Sequence, residues 1–307
     1  MAIKIANAPC TWGTLEFEGM SGERITCRQM LDELRETGYE GTELGDWGFM
    51  PTEPAALRQE LDSRGLTMVG AFVPVALKDA DAHAAGEAEA VKVALLLAGT
   101  DTTPAPYIIL ADANGTDPVR TRNAGRVTPE MGLSEDEWKV FARGAERVAA
   151  AVRRETGLPT LFHHHCAGYV ETPEEIARLM ELTDPDILGL VFDTGHYLYG
   201  TGAGGRNAAL EGLERFWDRV RHLHFKDCSP QVAAKARSEG WDYFQAVGQG
   251  VFCELGCGEV DFPGIVRFLN GCGYSGWITV EQDVLPGMGA PRESAVRNRE
   301  YLRSLGL

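Results

Sequence analysis

Short β-rich apolar runs alternate with amphipathic segments from one end of this chain to the other, and that alternation limits its possible folds more than any other feature. The runs are "IKIANAPCTW" (3–12), "GTELG" (41–45), "TMVGAFVPVA" (67–76), "APYIILAD" (105–112), "PTLFHHHC" (159–166), "LGLVFDTGH" (188–196), "VRHLHFKD" (220–227) and "GWITVEQD" (276–283). Between them apolar residues recur with the helical period, as in "SEDEWKVFARGAERVAAAVRRETG" and "RESAVRNREYLRSLGL". Ser134 heads one helix with acids in its first turn, Thr172 precedes Pro173 at the start of another, and Gly38, Gly65, Gly157 and Gly273 each close one. Eight strands alternating with eight helices in 307 residues predict an α/β fold, a (β/α)8 TIM barrel forming a single domain over 1–307. A doubly wound open sheet is the alternative. Its nucleotide-binding forms lose ground because "APCTWGTLEFEG", not a glycine-rich fingerprint, follows the first strand. Stretches 113–132 and 228–261 are too long for simple connections and are expected as structured loops over the barrel mouth.

Charge narrows the partners. With 29 Lys+Arg against 45 Asp+Glu the formal charge is −16, which repels a phosphate backbone and argues against nucleic acid. No apolar run approaches the ~18 residues of a membrane span, and the N-terminal "MAIKIANAPCTWG" has no signal-peptide core, so no membrane partner and a cytoplasmic location are expected. The seven cysteines are odd in number and scattered without paired CxxC spacing, which predicts free thiols in a reducing compartment. The expected partner is a small molecule, and assembly into a homo-oligomer is left open.

In such a barrel the chemistry collects at the carboxyl ends of the strands. Alternation along a strand puts His163 with His165, Asp193 with Gly195, His222 with His224 and Lys226, and Glu281 with Asp283 on common faces, while Phe162, Phe192, Leu223, Phe225, Ile278 and Val280 suit the helix-facing side. Burying Asp193, His224 and Glu281 together without a cation costs several kcal/mol per uncompensated ion. One divalent metal ion removes that cost, and the mixed imidazole and carboxylate set suits Mn²⁺, Co²⁺, Fe²⁺ or Zn²⁺ better than Ca²⁺, with Mg²⁺ also in range.

"FDTGH" (192–196), "HLHFKD" (222–227), "GEVDFPGI" (258–265) and "GYSGWITVEQD" (273–283), supported by "GYEGTELG" (38–45) and "YVETPEE" (169–175), resemble the xylose-isomerase-like TIM barrels. That group includes sugar epimerases, hydroxypyruvate isomerases, endonuclease IV and inosose dehydratases. The resemblance implies one metal held after strands five to eight. Asp193, His224 and Glu281 match the last three ligands, and His163 stands where the epimerases have a glutamate. That glutamate is also one of the epimerases' two proton-transfer groups, so its loss argues against a two-base shift. The "HHH" run is most similar to the inosose dehydratase branch and implies a metal-dependent lyase removing water from a cyclic keto-polyol such as 2-keto-myo-inositol. Keto-sugar epimerisation or isomerisation and β-elimination of a 3-keto glycoside are the alternatives. Expected roles are Glu281 as ligand and base, His165 or His196 as acid, and Lys226 beside the developing enolate or paired with Asp227 or Asp283. Glu43 and Asp283 are candidate substrate contacts. Trp12 and Phe72 are a candidate apolar wall, and Glu254 and Trp241 candidate lid residues; barrel packing and loop surface are the plainer readings of these four.

Overall fold

The computed structural model describes residues 3–13, 25–202, 204–285 and 288–307. The end of the "APCTWGTLEFEG" stretch, from Thr14, lies outside them. Among the described residues eight parallel strands close a barrel: β1 Lys4–Asn7, β2 Gly41–Glu43, β3 Thr67–Val75, β4 Tyr107–Asp112, β5 Thr160–His163, β6 Leu188–Asp193, β7 Val220–Phe225 and β8 Trp277–Val280. β1 closes on β8 in the register Ala6 with Thr279, Asp193 pairs with His224, and His163 pairs with Val191, two residues before Asp193 on the same face.

Period-two patterning sorts the side chains as expected. Phe162, Phe192, Leu223, Phe225, Ile278 and Val280 are fully buried in the main core between strands and helices. Each such burial contributes roughly 1.5–3 kcal/mol. The alternate positions turn inward, where Ala6, Val69 and Trp277 form one small apolar cluster and Ile109, Leu161 and Val191 another. These plug the barrel beneath the polar strand ends. The helix signals hold as well: Ser134 with Glu137 and Thr172 with Glu175 form capping boxes, and Gly157 ends its helix in the left-handed region at φ 74°.

Every strand is shorter than its sequence run, and three of the differences bear on the site. β6 stops at Asp193, whose Oδ1 accepts the His196 N–H at 2.7 Å and caps the helix Thr194–Gly200. His196 is therefore helical, and strand alternation does not place it. β5 stops at His163, which frees His164 and His165 from the pleat. Pro9–Trp12 is a 3₁₀ turn after β1. The two long loops are structured: 113–132 holds the helix Pro118–Arg122, while 228–261 holds helices Pro230–Glu239 and Tyr243–Gly248 and a two-stranded antiparallel ribbon of Asp227–Cys228 with Phe252–Cys253. Buried Glu171 clasps the loops after β4 and β5 by accepting the Gly125 N–H at 2.7 Å and the Ala167 N–H at 2.8 Å. None of the seven cysteines is in a disulfide, and among the described residues no helix is long and apolar enough to cross a membrane.

Candidate active site

Four side chains from successive strand ends converge. His163 ends β5, Asp193 ends β6, His224 lies near the end of β7 and Glu281 follows β8, and each offers one ligand atom within 4.8 Å of the others. Asp193 Oδ2 lies 3.7 Å from His163 Nε2 and 4.0 Å from His224 Nδ1, and His224 Nδ1 lies 3.4 Å from Glu281 Oε1. His163 Nε2, Asp193 Oδ2 and His224 Nδ1 are buried and lack hydrogen-bond partners. Leaving such atoms unsatisfied is costly. Two nitrogens and two carboxylates facing one another at these separations fit a divalent cation. Burial disfavours charge throughout the set, yet Glu281 and Glu43 outweigh it at His224 and hold that imidazole's pKa well above its ordinary value. At His163 burial dominates and pushes the pKa down, which keeps the ring neutral.

Glu43 reaches this cluster from the opposite side of the barrel. Its Oε1 lies 2.9 Å from His224 Nε2 and 3.3 Å from His222 Nε2, and His222 Nε2 also lies 3.0 Å from Thr279 Oγ1. Holding His224 through Nε2 leaves Nδ1 turned toward Asp193 and Glu281, as carboxylates behind metal-ligating histidines do. The core-lining hydrogen bond weighed for Glu43 is thus present, and Glu43 also borders the cavity.

The three consecutive histidines meet three environments. His163 joins the cluster, and His164 faces away, its Nε2 accepting the Asp193 N–H at 3.1 Å. His165 donates from Nδ1 to the Cys166 carbonyl at 2.6 Å, turns Nε2 toward Tyr243 Oη at 3.5 Å and borders the cavity. His196 lies fully buried against His165 with ring centroids 3.8 Å apart, and its Nδ1 accepts the Cys166 N–H. Burial, then His165, drives its pKa well below the ordinary value, and it is not among the cavity-lining residues. Of the two acid candidates only His165 borders the cavity.

Lys226 is buried with Nζ 3.4 Å from Glu281 Oε2, 3.3 Å from Asp283 Oδ2 and 4.8 Å from the centre of the Phe252 ring. Asp227, the other partner considered for it, instead accepts backbone N–H groups from Cys228, Gly256, Gly258 and Val260 and anchors the loop after β7.

Above the cluster opens a cavity of about 410 Å³ bordered by Glu43, Phe72, His163, His165, Tyr243 and Glu281, among others. Phe72 borders the cavity and stands edge-on to His163 at 5.9 Å. Trp12 does not line the cavity: its indole N–H donates to Glu33 at 2.8 Å on the helix side. Glu254 is drawn off by a two-pronged pair with Arg297 at 2.7 and 2.6 Å. Trp241 is buried, and its carbonyl accepts from Arg126. The long loop does cover the mouth, but through Tyr243 and Phe244, which the helix capped by Asp242 carries over the site. The aspartate followed by two aromatics was the available signal.

The family model described as xylose isomerase-like TIM barrel matches residues 31–305. An inosose dehydratase of Geobacillus kaustophilus is 33% identical over 302 residues, covering 98% of this chain and 94% of that protein. The rhizopine catabolism protein MocC of Rhizobium meliloti is 34% identical, covering 98% and 88%. Among solved structures, the probable 3-DHS dehydratase AsbF from Bacillus anthracis superposes with a TM-score of 0.71 at 13% identity over 98% of this chain and 99% of that one. IOLI protein with a binding zinc atom gives 0.70 at 14% over 99% and 98%. A closed parallel barrel, side chains able to hold a metal at the ends of β5 to β8 and a sequence match over nearly the whole length agree: the chain belongs to the xylose isomerase-like TIM barrel family.

Proposed function

We propose that this enzyme is a carbon–oxygen lyase that removes water from an uncharged cyclic keto-polyol such as 2-keto-myo-inositol, with one divalent metal ion, Mn²⁺ or Co²⁺ before Zn²⁺, Fe²⁺ or Mg²⁺. The observation that carries the reading is the convergence of His163, Asp193, His224 and Glu281, three of which contribute buried atoms without partners, with His165 bordering the same cavity and Lys226 buried behind Glu281. The full-length relative called inosose dehydratase supports the choice of reaction. An ion held by these four would polarise the substrate's ketone and make the adjacent C–H acidic.

The remaining work falls to side chains. Glu281 borders the cavity and takes the proton from the carbon beside the ketone. Lys226, against Glu281 Oε2, places positive charge where the enolate develops. His165 supplies a proton to the hydroxyl leaving from the next carbon, so that one C–H and one C–O bond break, a C=C bond forms and one water departs. Phe72 and Tyr243 close the wall against solvent. At the end of β5 the cluster presents the His163 imidazole and no glutamate, which favours elimination over the paired-base inversion of an epimerase.

The test is incubation of the metal-loaded protein with 2-keto-myo-inositol in deuterated water, followed by NMR and by dione absorbance. Loss of water is expected. Deuterium on an intact, inverted keto-sugar, formed faster than any dehydration, would replace the lyase reading with an epimerase.

A further inference from the structure

The cavity is larger and less polar than a bare polyol ring requires. Its volume of about 410 Å³ falls in the range of pockets that enclose drug-sized ligands, and a six-membered ring seated at Glu281 leaves the outer part unfilled. That outer part runs under the loops after β2, β3 and β4 and is bordered by Leu44, Trp47, Phe72, Pro74, Val93 and Phe244. Trp47 is a large apolar side chain left 41% exposed, at the rim of this groove, with Lys92 Nζ 3.9 Å from its ring centre. Across from it Phe244 occupies space that only a glycine at 115 leaves open: a Cβ there would lie 2.7 Å from Phe244 Cζ. Aromatic faces gathered beside a reaction centre offer apolar area that water covers poorly.

Charge restricts what can lie there. Among the described lining residues Glu43, Asp46, Glu89 and Glu281 are carboxylates, and none is a lysine or arginine. The ammonium of Lys226 faces Glu281 and Asp283, and that of Lys92 is held by Glu89 at 2.7 Å. A phosphate or carboxylate on the substrate would meet no lysine or arginine among the described lining residues.

We infer that the physiological substrate is an uncharged cyclic keto-polyol carrying an apolar substituent of about one aromatic ring, held between Trp47, Phe72 and Phe244 while the polyol ring lies at Glu281. This rests on the dehydratase reading, and two measurements separate them. Calorimetric titration of myo-inositol, its mono-O-benzyl regioisomers and its mono-O-glucosyl ethers concerns the groove alone, because none of these carries the ketone. At least one benzyl ether is expected to bind about tenfold tighter than myo-inositol with a negative heat-capacity change, and Trp47→Ala to erase most of that ratio. Equal or weaker binding of every benzyl ether, or tighter binding of a glucosyl ether, overturns the inference whatever the reaction. The corresponding ketones are then assayed for dehydration. A benzyl ketone turned over with the higher kcat/KM supports the inference; preference for the bare ketone overturns it and leaves the dehydratase reading standing. If no ketone loses water the dehydratase reading fails, and the calorimetry still decides what the groove holds.

Discussion

At the carboxyl ends of β5 to β8 the barrel presents buried His163, Asp193 and His224 with Glu281, whereas the ends and loops of β1 to β4 border the same cavity with apolar Pro9, Leu44, Phe72 and Val73 beside the exposed carboxylates of Asp46 and Glu89. The only carboxylate that β2 turns inward, Glu43, is spent on His222 and His224 of the opposite half. One half of the mouth therefore carries buried charge that must be balanced within a few ångströms, and the other supplies shape. Substitutions in the first should change the chemical step, and substitutions in the second should change binding.

The largest effect expected on this division is that of Glu281→Gln. The shape is kept, but the proposed base loses its charge and one of the four groups proposed to hold the metal is weakened, so kcat for the dehydration should fall about 10²- to 10⁴-fold even with the metal in excess. Steady-state kinetics on the metal-loaded protein measure it. A variant that keeps kcat within a few-fold would move the base elsewhere and break the assignment of chemistry to this half. Next comes Glu43→Gln, which leaves the metal ligands in place and alters only the partner of His224 Nε2. Metal affinity by chelator competition should weaken roughly 10- to 100-fold. Unchanged affinity would mean that Glu43 serves substrate and not His224.

How far these two halves could be read in advance follows the same division. The strand runs were legible because alternation of apolar side chains is a local property, and so were Asp193, His224 and Glu281, which sit at fixed offsets from those runs. What no local pattern could give was contact across the barrel. Glu43 and His224 are 181 positions apart, and nothing near either announces the other. The run "LGLVFDTGH" misplaces His196 because its apolar part ends at Phe192, and Asp193 both ends β6 and caps a helix that begins at the next residue. Trp12 and Glu254 lie away from the cavity for a related reason: Glu33 and Arg297, distant in sequence, take their polar atoms.

On the shape-bearing side a smaller effect is expected. Phe72→Ala removes a ring that borders the cavity edge-on to His163. It should raise KM by up to about tenfold and leave kcat nearly unchanged, since aromatic packing of this kind contributes about 0.5–1.5 kcal/mol beyond its area. An equal drop in kcat would show that Phe72 also sets the orientation of His163, and the two halves would then be coupled through that contact.

The smallest effect on turnover belongs to the seam between the halves, where Glu171 joins the loop after β4 to the loop after β5 through Gly125 and Ala167. Burial pushes its carboxyl up from 4.5 to about 7, against the pull of Arg120 and of the two backbone N–H groups. An acid whose folded value lies above its unfolded one binds a proton in the folded chain that the unfolded chain has already released, so folding stability falls as pH rises between the two values. The contribution is fully present below the unfolded value and lost as pH climbs through about 7. Glu171→Gln carries no such proton. The stability of the wild type relative to this variant, from urea unfolding, should therefore decline by about 2 kcal/mol between pH 5 and pH 8. A flat difference would mean that the two N–H groups keep Glu171 ionised throughout, and a rising one that charge on Glu171 holds the loops together. In either case the clasp would be an ionic one, and the seam would resemble the charged half of the mouth more than the apolar half.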